Sequence, residues 1–211
     1  MDDARDVHPD GGGASIVSAM GFDFRIAAPP ERWPDAHRPQ YEDAPEYFRV
    51  THKAMHALRA ALAVTGVLDV DARLPSFPPW PPPQMSATRA GGVELAKDHG
   101  MTIEPPSTAT EIETLEQWRR KRAQALETTS NDPQKVPAFK LGSNDGWRLS
   151  PDECALLATG LRAAIDERAD ALHAAIADAG STMTRDASLA WLSSFAEYLA
   201  LAAEHGGVVV S

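Results

Sequence analysis

Residues 139–147, FKLGSNDGW, run almost directly into Ser150-Pro151-Asp152-Glu153, and this stretch decides how the chain is read. Asn144-Asp145-Gly146 marks a tight turn, because Asn, Asp and Gly accept the positive φ values such turns require. Phe139 and Leu141 before the turn, and Trp147 and Leu149 after it, alternate as short strands do, so strands are expected at 138–141 and 147–149. Ser150 then starts a helix: its hydroxyl can accept the Glu153 amide while the Glu153 carboxylate reaches back, with Pro151 at the first helical position.

The same patterns extend outward in both directions. Toward the C-terminus, Cys154, Leu157, Leu161, Ile165, Leu172 and Ile176 form one apolar stripe, which predicts a helix from Pro151 to about Ala179 closed by Gly180. A further helix over about Arg185–Glu204 carries Leu189, Leu192, Phe195, Leu199 and Ala203. Gly206-Gly207 stops it, and Val208-Val209-Val210 reads as a final strand. Toward the N-terminus, Thr108 and Glu111 form another capping box before a helix with Ile112, Leu115, Arg122 and Leu126 on related faces, whose acids come first and whose bases, Arg119-Arg120-Lys121-Arg122, come later, an order that suits the helix dipole. Pro75–Pro83 (PSFPPWPPP) cannot be helix or central strand and predicts a surface loop presenting Phe77 and Trp80. Asp43 and Glu46 look like the cap of a helix running through Phe48, Met55, Leu58 and Leu62 to Gly66, and residues 22–26 alternate as a strand.

These elements define an expected α+β fold, mostly helical, with about four helices, a small antiparallel sheet of short strands, and long proline-rich loops. Residues 1–19, with Asp2, Asp3, Asp6, Asp10 and the Gly11–Gly13 run, read as a flexible acidic N-terminal extension; 20–211 read as a single globular domain that would start at Met20.

Composition excludes some functions. A formal net charge of −10 argues against a nucleic-acid protein, because phosphate neutralisation requires surplus Lys and Arg. No run of apolar residues is long enough to span a bilayer, and the polar, acidic start is the reverse of a secretion signal. The expected location is cytoplasmic. The single cysteine, Cys154, lies on a helix's apolar side and reads as a buried thiol.

Candidate chemistry is sparse. His52 and His56 stand i, i+4 on one helix face, a metal-ligand spacing. Lys53 occupies the place where a metalloprotease signature has Glu, and a third ligand would have to come from Glu46, His99 or Asp145. Two solvated histidines on one face is the simpler reading. Arg49 can bind an anion or pair with Asp23 or Asp145. Asn144, Asp145 and Trp147 can line a pocket at the turn, although turn geometry alone explains them. No nucleophile elbow or phosphate loop is present, and no metal or cofactor is expected.

Gly21-Phe22-Asp23-Phe24 with Glu46-Tyr47-Phe48-Arg49, and Ser143–Trp147 with Glu204–Val210, resemble a group of uncharacterised actinobacterial and phage-associated proteins. The resemblance implies no activity. The expected function is therefore a soluble non-enzymatic protein-binding or regulatory module, its partner a protein met by an acidic surface or by the Phe77–Trp80 loop. The alternative is a small metal-dependent or hydrolytic enzyme using Arg49, His52, His56 and Asp145. A homodimer through alanine-rich faces (Ala163-Ala164, Ala174-Ala175) is a further expectation.

Overall fold

The computed structural model describes residues 21–31, 47–83 and 85–211. Residues 1–19, the Met20 start and the Asp43–Glu46 cap lie outside them. In chain order the elements are β1 (Gly21–Ile26), β2 (Tyr47–Thr51), α1 (His52–Thr65), β3 (Leu68–Asp69), α2 (Ala87–His99) and α3 (Ala109–Leu126). There follow β4 (Val136–Pro137), a 3₁₀ turn (Ala138–Leu141), β5 (Trp147–Leu149), α4 (Pro151–Glu167), α5 (Ala169–Asp178), α6 (Arg185–Glu204) and β6 (Val208–Val210). The class is α+β with a small antiparallel sheet, ordered β2-β1-β6-β5; β3 and β4 form a separate two-residue parallel ladder.

The sheet alternates as half-buried strands must. Phe22, Phe24, Ile26, Trp147, Leu149, Val208 and Val210 point inward onto α4 and α6, against Leu157, Leu161, Phe195 and Leu199. Asp23, Arg25, Arg49, Arg148 and Val209 occupy the outer face. Gly207 lets the chain turn from α6 into β6: its φ is +86°, and a Cβ there would lie 2.1 Å from the Leu149 carbonyl oxygen. Only glycine fits that approach.

Four sequence expectations change. Residues 47–51 are strand, not helix: the Tyr-Phe-Arg-Val-Thr run is rich in strand formers, and it pairs antiparallel with β1. The helix begins only at His52, with Thr51 as cap (its Oγ1 accepts the Ala54 amide at 3.2 Å), and ends at Gly66 with φ +77° as expected. Residues 138–141 are a 3₁₀ turn instead of a strand, so no hairpin forms around Asn144–Gly146; β5 pairs with the distant β6. The physical reason is Lys140, which is fully buried with its ammonium bound to Glu153, whereas a strand alternating on Phe139 and Leu141 would turn it outward.

The expected long third helix is broken at Arg168 into α4 and α5. Arg168 donates to the carbonyls of Val64 (2.6 Å) and Thr65 (3.4 Å) at the end of α1, and the break lets α5 pack across α1. Finally α2 was not anticipated, so the described residues hold six α-helices where about four were expected. Its apolar pattern is weak, with Gly91-Gly92 inside it and only Ala90 and Val93 buried. It is held instead by α3, through a small cluster of Ala90, Val93 and Leu115 and through ion pairs.

Candidate functional site

On the outer face of β1 and β2, the register sets Asp23 opposite Arg49 and Arg25 opposite Tyr47. Tyr47 Oη donates to Asp23 Oδ1 at 2.5 Å, and this bond, with a smaller contribution from burial, raises the phenol above its ordinary pKa. Arg49 Nε lies 3.8 Å from the same carboxylate oxygen, so the pairing of Arg49 with Asp23 is realised. The Arg25 guanidinium sits over the Tyr47 ring, 5.6 Å from its centroid.

His52 and His56 do face one another. Their ring centroids are 5.3 Å apart and edge-on, and His52 also stacks on Phe22 at 6.0 Å. Both are exposed, and among the described residues no group of three His, Cys, Asp or Glu side chains is arranged to hold a metal ion. Asn144 Nδ2 donates to the Gly21 carbonyl at 2.6 Å, which ties the turn to the start of β1. The Asp145 carboxylate accepts from Ser143 Oγ, and the Asp145 carbonyl accepts from Arg122 at 2.8 Å. Trp147 is fully buried, its Nε1 donating to Ser143 Oγ and its ring packed between Phe77 and Phe139. Buried in this way, it anchors the proline-rich loop through Phe77.

That loop is irregular, as expected, and pinned at two points. Phe77 meets Trp147 edge-on, and Trp80 lies on Trp118, whose Nε1 donates to the carbonyls of Pro78 and Pro79. A groove of about 510 Å³ runs between Pro75–Pro79 and the α3 residues Lys121, Gln124 and Ala125. Val70 (71% exposed), Leu74 (62%) and Trp80 (44%) stand out from the same segment.

Two features escaped the sequence reading. One is the buried ion pair, in which Lys140 Nζ contacts both Glu153 oxygens at 2.9 and 2.8 Å and the Arg148 carbonyl at 2.7 Å. Burial lowers the lysine pKa, and the bond to Glu153 partly offsets this. Every proton of the ammonium has a partner, so the pair is a structural bolt. The capping-box motif exposes Glu153 to sequence reasoning; nothing local points to Lys140. The other is a cleft of about 460 Å³ between α3 and the outer face of β5 and β6, lined by Trp118, Arg119, Arg122, Arg148 and Val209 among others. The basic run of α3 does signal this wall, but its partners come from α2 and β5.

No family model, no curated protein and no solved structure matches the chain. Among the described residues, no helix is long and apolar enough to cross a membrane. Ala164, offered by sequence as a dimer contact, is buried within the monomer, while Ala174 is exposed.

Proposed function

We propose that this protein is a non-enzymatic protein-binding or regulatory module that meets its partner through the Val70–Trp80 segment. The observation that carries the reading is the concentration of exposed apolar side chains. Val70, Leu74 and Trp80 are three of the six large exposed hydrophobics among the described residues, and they fall within one short stretch. Isolated exposed apolar residues need no explanation, but a group of them marks an interaction surface. Phe77 on Trp147 and Trp80 on Trp118 hold the backbone in place, so binding costs little ordering entropy. The net charge of −10 favours a basic partner.

The test is affinity capture from the source cells with wild type and a Val70→Glu/Leu74→Glu variant. Both positions are exposed, so the variant should melt with wild type. Loss of at least nine-tenths of the specifically captured protein from the variant supports the reading. The same proteins captured in the same amounts by both, or none by either, overturns it.

A further inference from the structure

The cleft beneath α3 gathers arginines in a chain where acids outnumber bases 30 to 20. Their partners differ in kind. Arg119 is held by two carboxylates, Glu94 at 3.2 Å and Asp98 at 2.8 Å, and that end of the cleft is satisfied. Arg122 has no carboxylate partner among the described residues; one of its N–H groups reaches the Asp145 carbonyl, and its guanidinium lies 5.9 Å from the centre of the Trp118 ring. Arg148 meets Glu127 only at 3.5 Å, with both side chains more than half exposed, a contact worth little in water. Two guanidinium forks thus line one concave surface with most of their donors unengaged.

The surroundings fit a ligand. Ala123, Leu126, Gly146 and Val209 supply the apolar part of the lining, and the two carboxylates that also line it, Glu94 and Asp98, are both engaged by Arg119. The volume is within the range of small-molecule sites. The sheet continues the pattern: Val209 pairs with Arg148 on one side and Arg25 on the other, so Arg25 stands about 10 Å across the same face, and it too lacks a carboxylate partner among the described residues.

We propose that this cleft binds a small molecule bearing a phosphate or carboxylate group, gripped by Arg122 and Arg148 beside Trp118. Planar forks suit both groups, which accept two parallel hydrogen bonds from one guanidinium.

The test is calorimetric titration of the full chain, at low salt, with inorganic pyrophosphate and with citrate. Binding below about 1 mM by at least one probe is expected. Arg122→Gln and Arg148→Gln should each weaken it at least tenfold, while Arg120→Gln, an exposed change on the same helix outside the cleft, should not. Pyrophosphate alone assigns a phosphorylated ligand, citrate alone a carboxylate, and both the shared chemistry. Amide shifts at Gly146 and Val209 on titration locate the site even if one variant folds poorly. No binding by either probe, equal weakening by Arg120→Gln, or affinity unchanged in both cleft variants overturns the proposal. Val70→Glu/Leu74→Glu leaves these arginines untouched, so this test and that of the partner surface fail separately.

Discussion

Replacing Lys140 with methionine should be among the most damaging single changes in this protein. The methionine keeps the length of the side chain and removes the ammonium. Glu153, 4% exposed, then loses both contacts from Nζ and retains only the Ser150 amide, while the Arg148 carbonyl loses its donor. Removing one partner of a buried pair costs about 3–5 kcal/mol, because the remaining charge stays out of water without compensation. With an unfolding entropy of about 2.1 cal/mol/K per residue over 211 residues, this corresponds to a fall in Tm of roughly 7–11 °C. The double variant Lys140→Met/Glu153→Gln separates charge from packing. Its amide can still cap the Ser150 N–H, and the orphaned charge is gone, so at least half of the loss should return. Urea melts of wild type and the two variants provide the measurement. A Lys140→Met protein within about 1 kcal/mol of wild type, or a double variant no better than the single, would refute the account of the pair as a buried structural bolt.

Other expectations rest on separate features. Burial pushes the Cys154 thiol up to about 12, so it should resist aromatic disulfide reagents at pH 8 in the native protein and react at once in denaturant; native reactivity would place it nearer the surface. The same shift contributes stability below the ordinary thiol value of 9 that is lost as pH rises toward 12. Glu111 is held down to about 2, first by its bonds to Arg89 and then by the Thr108 amide, so its contribution is present above 4.5 and lost as pH falls through 2. Protection of the α2 amides relative to their intrinsic exchange rates should fall across that acid window in wild type, and an Arg89→Gln variant should lack most of the transition. Gly207→Ala should destabilise severely, since its Cβ would strike the Leu149 carbonyl; expression in the insoluble fraction, or a melt many degrees lower, is the readout. Gly91→Ala, by contrast, meets nothing within 4 Å and should stabilise α2 by about 1 kcal/mol.

Local grammar was enough for the parts of the fold whose signals lie within a few residues. The capping boxes at Thr108 and Ser150, the span of α6, the glycine stops and the irregular proline loop could all be read directly, because caps, proline and left-handed glycines act over one helical turn. Tertiary structure decided the rest. Residues 47–51 became strand because β1 offered a ladder, residues 138–141 coiled inward because Lys140 had Glu153 to reach, and the third helix broke because Arg168 could bind the carbonyls ending α1. The basic run of α3 shows the same division: its position was plain in the chain, yet Arg119 is neutralised and Arg122 left open only by residues that α2 and the turn before β5 bring alongside. Helix and strand signals have periods of a few residues, whereas pairing of charges across the chain depends on which surfaces the core brings together.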